Sequence, residues 1–265
     1  MALIDREIFF DNIRPKPFAN SLTQDQVDGM NAILDAWEAD YSMWDLRWLA
    51  YALATTAHET GMEMLPIEEY GKGKGQPYGE PDPITGECYY GRGYVQLTWD
   101  SNYQRADSEL DMVGDDSCYL HPERQLEPEV AAPTMFIGMR DGWFRGASDG
   151  SRETLQKYFN DTRDDPFGAR EIINGDKNTV PSWSNGVSIG NLIKGYHKDF
   201  LKALQAAYVE EDAMPEPTPA PAPSGTVTVT IESPAGVKVV VNLVETKAEE
   251  QTATTAEVDD DEDFG

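Results

Sequence analysis

Three glutamates carry the first chemical signal in this chain. Glu59 closes an apolar run from Leu49 to Ala57, and Glu68 and Glu69 follow about ten residues later. Two carboxylates in unlike surroundings are what hydrolysis of a glycosidic bond needs: one holds a proton for the leaving oxygen, and the other, ionised, activates water. The apolar approach to Glu59 favours its protonated form through partial burial, which makes it the general-acid candidate. Glu69, beside Tyr70 on a glycine-rich segment, suits base work, and Glu68 competes for that role. With 48 acidic residues in the chain, spacing alone leaves the pairing open.

The elements that must hold these acids are chiefly helical. Thr23 and Gln26 form a capping-box pattern ahead of Val27, Met30, Leu34 and Trp37 at helical spacing. A second helix is expected from near Asp45, with Leu46, Leu49, Leu53 and Ala57 on one side and Gly61 as its left-handed stop. Further helices are expected near 99–111, 127–141, 151–160, 166–173 and 186–208. Residues 66–93, rich in glycine and proline, read as loop, with a short hairpin around Tyr89–Leu97.

A composition break follows Tyr208. Residues 209–265 hold 14 acidic residues against two basic ones. The expected organisation is a helical domain over 1–208, a Pro-rich linker over 209–225, a β-hairpin over 226–245 and a solvated acidic tail over 246–265. A lone hairpin is marginal in water, so it needs a docking partner, a protein among the candidates.

Composition excludes several functions. A net charge of −27 opposes nucleic-acid binding, which depends on surplus Lys and Arg. No run approaches the roughly 18 apolar residues of a membrane span, so no stable insertion is expected. Asp5, Arg6 and Glu7 interrupt the N-terminal apolar residues, so no export signal is read, and the expected location is the cytoplasm until release. Cys88 and Cys118 then read as free thiols. The three histidines lack metal-ligand spacing, the Gly71–Gly75 stretch lacks the ending of a phosphate loop, and no nucleophile elbow occurs.

Several motifs in order now add to this reading. His58-Glu59-Thr60-Gly61, Pro66-Ile67-Glu68-Glu69-Tyr70-Gly71, Tyr90-Gly91-Arg92-Gly93-Tyr94-Val95-Gln96-Leu97-Thr98-Trp99, Asn102-Tyr103 and Ile172-Ile173-Asn174-Gly175 resemble glycoside hydrolase family 19. Tyr196 with Phe200 looks like its closing helix, and the likeness spans roughly 8–205, nearest the phage endolysin and bacterial branch. The resemblance implies a mainly α, lysozyme-like fold with a glycine-rich loop or short hairpin beside the cleft. It also implies an inverting endo-hydrolase of β-1,4 bonds in peptidoglycan or another N-acetylglucosamine-containing polymer, with no cofactor.

By the same resemblance Glu59 matches the general acid, and Glu69 the base with Glu68 as competitor. Thr98 matches the hydroxyl that helps hold the attacking water. Gln96 and Asn102 match substrate contacts and Asn174 the far wall of the cleft, while Tyr90, crowded with Tyr70, Tyr78, Tyr89, Tyr94 and Trp99 in one segment, is read as an aromatic face suited to a sugar ring. His58 is read as a supporting residue, and Arg92 as a guanidinium able to hold Glu59 or its neighbours through a buried ion pair. The loop between the acids is shorter than in plant chitinases, so counting residues does not select the base. A chitinase on the same site, a lytic transglycosylase and a binding protein that uses the hairpin and tail remain as alternatives.

Overall fold

The computed structural model describes residues 3–209, 228–232 and 238–242. The chain divides into two units, Met1–Met214 and Pro215–Gly265. Most of the linker and acidic tail read from the sequence lies outside the described residues.

The first unit is mainly α. Its helices among the described residues are α1 (Arg6–Ile13), α2 (Gln24–Ala36), α3 (Leu46–Glu59), α4 (Asp100–Glu109), α5 (Pro128–Asp141), α6 (Leu155–Tyr158) and α7 (Ile189–Ala207). The strands are short pairs: β1 (Leu3–Ile4) with β6 (Tyr208–Val209), β2 (Ile67–Glu68) with β3 (Arg92–Gly93), and β4 (Phe159–Asn160) with β5 (Arg163–Asp164), all antiparallel. In the second unit β7 (Thr228–Glu232) pairs antiparallel with β8 (Lys238–Asn242).

Local signals explain where the helices begin and end. The Thr23 side chain caps the Gln26 amide, and the Gln26 side chain returns the bond to Thr23, so two orphan donors of α2 are satisfied together. Asp45 caps α3 through the Arg47 amide. The chain leaves α3 through Gly61 at φ +59°, the left-handed stop that glycine adopts without a Cβ clash.

α3 is the spine of the unit. Every residue from Trp48 to Ala57 is buried; α7 packs beside it, and α1 packs in turn on α7, with Phe9 and Phe200 stacked at 6.4 Å. A helix apolar on all sides has no face for water, so it belongs at the centre. Its last residue, Glu59, is therefore carried out of the core at a fixed place.

One helix is added to those expected and two expected helices are corrected. α1 precedes the first expected helix, capped by Asp5 and burying Phe9, Phe10 and Ile13. The stretch 151–160 holds only the single turn of α6, because the Asn160 side chain folds back on Thr162 and starts the β4–β5 turn. Residues 166–173 form a 3-10 turn over Gly168–Ile172. In the expected hairpin of Tyr89–Leu97, Arg92 does bridge Leu97, yet β3 also pairs with β2.

Candidate active site

A groove of about 440 Å³ opens beside the C-terminal end of α3. Glu59, Gln96, Thr98, Asn102 and Asn174 line it, so three distant stretches of sequence meet there. Tyr78, Trp99 and Phe144 supply aromatic walls. Trp99 is 46% exposed and holds φ at +77° as it leads into α4, an uncommon backbone for a bulky residue. Its ring meets Tyr78 edge-on at 5.1 Å.

Glu59 is fixed from two directions. Thr60 closes α3 by donating its hydroxyl to Thr56 O at 2.7 Å and accepting the Met64 amide at 3.0 Å. The Arg170 guanidinium donates to the Glu59 carboxylate. Arg170 is only 2% exposed and also grips Asp176, with Nε to Oδ1 at 2.6 Å and Nη2 to Oδ2 at 3.1 Å. Glu59 thus meets a buried cation at the end of the apolar run that precedes it. The Asp176 pair gives that buried guanidinium a second carboxylate partner besides Glu59.

Glu68 and Glu69 lie side by side with different surroundings. Glu68 accepts the Tyr90 hydroxyl at 2.7 Å and pairs with Lys72 at 2.7 Å, and these bonds hold its carboxyl below the usual range. Glu69 follows β2, where its amide donates to Gly91 O at 2.7 Å and its Oε2 accepts the Gly91 amide at 3.2 Å. Gly91 is closely packed: a Cβ there would lie 3.0 Å from Gln96 Oε1 and 3.4 Å from the Glu69 Cβ, so Gln96 would have to give way slightly. Gly91 thus lies between Glu69 and Gln96; Gln96 lines the groove, and neither Glu68 nor Glu69 is among its lining residues.

The polar lining is organised by its own hydrogen bonds. Gln96 Nε2 donates to Ile67 O and Gly93 O, at 3.0 and 3.2 Å. Thr98 gives its hydroxyl proton to Gln96 O at 2.8 Å, which leaves the oxygen lone pairs to accept from water. Asn102 Nδ2 is committed to Thr98 O at 2.8 Å, so its carbonyl oxygen can accept from a ligand amide.

Other expected residues stand elsewhere. Tyr90 is buried, with its hydroxyl on Glu68. Arg92 stacks on the Tyr90 ring at 3.6 Å, donates to Cys88 O and the Tyr103 hydroxyl, and lies 3.7 Å from Glu68. The guanidinium on Glu59 belongs to Arg170 instead. His58 is half-buried, and burial pushes its pKa down, with Arg170 acting in the same sense against the opposing charges of Glu59 and Asp176.

Cys88 and Cys118 are free thiols. No group of three or more metal-ligating side chains occurs among the described residues. No helix there is long and apolar enough to cross a membrane.

Fold and groove together define a class: a mainly α body with a carboxylate-bearing, aromatic-walled cleft. No protein-family model and no curated protein matches the chain. Solved structures do. Chitinase C from Streptomyces griseus HUT6037 is 22% identical, over 77% of this chain and 76% of that one, with a TM-score of 0.46. A bacterial family 19 chitinase is 22% identical, over 76% of this chain and 94% of that one, with a TM-score of 0.46. A family 19, class IV chitinase from Zea mays is 19% identical, over 74% of this chain and 90% of that one, with a TM-score of 0.44.

Proposed function

We propose that this protein hydrolyses β-1,4 glycosidic bonds of an N-acetylated amino-sugar polymer, with inversion, and that peptidoglycan is preferred over chitin. The observation that carries the reading is the meeting of Glu59 with Gln96, Thr98, Asn102 and Asn174 around one groove. Glu59 donates its proton to the bridging oxygen. Glu69 removes a proton from a water that attacks the anomeric carbon from the opposite face, and Thr98 helps to hold that water. Such a mechanism needs the two carboxyl groups about 6.5 to 9.5 Å apart. Tyr78 and Trp99 offer flat apolar faces with polar edges, suited to sugar rings.

The preference for peptidoglycan draws on the motif likeness to the phage endolysin and bacterial branch. In that setting the protein waits in the host cytoplasm and reaches the wall after the membrane is opened by another agent. Digestion of purified peptidoglycan and of chitin, with mass spectrometry of the products, tests the proposal. Hydrolysis yields new reducing ends, and the Glu59→Gln variant yields none. Anhydro products would instead identify a lytic transglycosylase, and wall binding without cleavage would identify a binding protein.

A further inference from the structure

The outer face of α7 carries one stripe of lysines. Lys194, Gly195, Lys198, Leu201, Lys202 and Gln205 recur at intervals of three and four residues, which places them on one side of the helix. A hollow of about 660 Å³ follows that side, and Asp164 and Pro166 also line it. Gln205 borders a second hollow of about 220 Å³ as well, together with Ser42, Trp44 and Tyr208. Neither hollow shares a residue with the groove that holds Glu59. From Asn191 to Tyr208 the path measures about 25 Å at the rise of an α-helix, room for several sugar rings.

Two features of the stripe serve nothing inside the protein. Elsewhere lysines are matched with acids: Lys72 with Glu68, Lys157 with Glu153 and Lys177 with Glu171. Lys194, Lys198 and Lys202 are exposed and make no ion pair among the described residues. They stand about 6 Å apart along the axis, and like charges at this spacing repel one another until an anion lies over them. The acid on the hollow, Asp164, lies 3.9 Å from Arg47, which offsets its charge. Gly195 is the second feature. In the interior of a 19-residue helix only proline is less favourable than glycine, yet a Cβ there would meet nothing within 4 Å. Packing within the protein does not require it; the missing side chain keeps the floor of the hollow open between Lys194 and Lys198.

We infer that this face of α7 is a second binding site, which takes a peptidoglycan strand through the free carboxylates of its stem peptides. The lysines meet the carboxylates, and exposed Tyr208 with half-buried Trp44 supplies aromatic surface for the sugars at the Gln205 end. A chain of net charge −27 thereby turns one cationic face to an anionic polymer. At physiological ionic strength charges more than about 8 Å away are screened, whereas contacts at the lysines are shorter than that reach. The choice of polymer rests on the proposed function; the charge complementarity does not.

Binding is measured by fluorescence anisotropy at physiological ionic strength. The probe is labelled, solubilised, uncross-linked peptidoglycan, and the protein is the full chain carrying Glu59→Gln, which leaves the strands intact. Adding Lys198→Gln/Lys202→Gln is expected to weaken binding about three- to tenfold, the scale of two exposed ion contacts. Arg14→Gln/Lys16→Gln lowers the net charge equally, at exposed positions away from the hollow, and is expected to bind like the parent. Gly195→Leu fills the hollow with a better helix former, so it is expected to weaken binding while the unfolding midpoint stays or rises. Strands whose carboxylates have been amidated are expected to bind the parent and the lysine variant alike.

Unchanged binding in the lysine variant or in Gly195→Leu overturns the inference. So does an equal loss in Arg14→Gln/Lys16→Gln, which would reduce the effect to net charge, or a lysine effect that persists on amidated strands. A lysine effect seen with anionic phospholipid vesicles and not with the strands overturns it too, and assigns the face to a membrane surface. These readouts do not depend on turnover. A wild type that binds through α7 and cleaves nothing sinks only the hydrolase reading, and one that cleaves while its binding ignores α7 sinks only this inference.

Discussion

Arg170 donates to Glu59 across 111 residues of sequence, from a 3-10 turn to the last residue of the central helix. A cation 2% exposed cannot be solvated, so its partners are structural as well as chemical. Removing the cation strands the carboxylates of Glu59 and Asp176. Arg170→Met is expected to destabilise the folded state by roughly 3 kcal/mol, the scale seen when one partner of a buried pair is lost. Urea denaturation with unchanged slope measures it.

Removing Glu59 has the opposite profile. The Glu59→Gln side chain can still accept from Arg170, and Asp176 still balances the guanidinium. Turnover is expected to fall on the order of 10²–10⁴-fold with only a small change in unfolding midpoint. Parallel assays of wall clearing and of thermal unfolding separate the two effects.

Gly29 reverses a usual rule. Within a helix, Gly→Ala ordinarily stabilises by about 1 kcal/mol. Here the new Cβ would sit 1.9 Å from Met64 O, in the segment that follows α3. Gly29→Ala is expected to destabilise by roughly 1–3 kcal/mol as α2 or that segment is forced aside. A lowered denaturation midpoint would show it.

His197 makes stability depend on pH. It is 3% exposed, stacks on Phe159 at 5.3 Å, and its Nε2 has no hydrogen-bond partner. Burial pushes its pKa down to about 4, against the opposing charges of Asp164 and Asp45 and with that of Arg47. The unfolded chain binds this proton near pH 6.5 and the folded one only near 4, so folding stability falls as pH drops through that window. The loss amounts to a few kcal/mol at most, roughly, at the acid end. A His197→Phe variant should show a flatter stability curve between pH 6.5 and 4.

The acidic balance bears on the proposed substrate. A protein of net charge −27 is repelled by an anionic wall polymer, and salt shortens the reach of that repulsion to about 8 Å at physiological ionic strength. Activity on peptidoglycan is expected to rise as salt is added from very low values. A steady fall over the same range would count against an anionic substrate.

What could be read in advance follows the range of the interaction involved. The α2 cap and the α3 stop depend on residues within one turn of each other, and Thr23, Gln26 and Gly61 announce both. The motifs single out Glu59, Gln96, Thr98, Asn102 and Asn174, and these five line one groove, whereas Glu68, Glu69 and Tyr90 are not among its lining residues. Arg170 escaped because no periodic pattern marks a 3-10 turn and its partner is far away in sequence. Arg92 drew attention through its glycines, yet those serve the close passage of the strand beside Gln96 and Gln125. Tyr78 was one aromatic among several, and only its place in the folded groove wall sets it apart. Helix α1 went unread because charged residues interrupt its apolar positions.

Leu3 and Val209 are paired neighbours across β1 and β6. The path of the helical unit therefore closes on itself, and a short peptide joining those two points would turn it into a ring. New ends could then be cut at an exposed turn such as the one around Gly150, giving a rearranged gene order with the same three-dimensional neighbours.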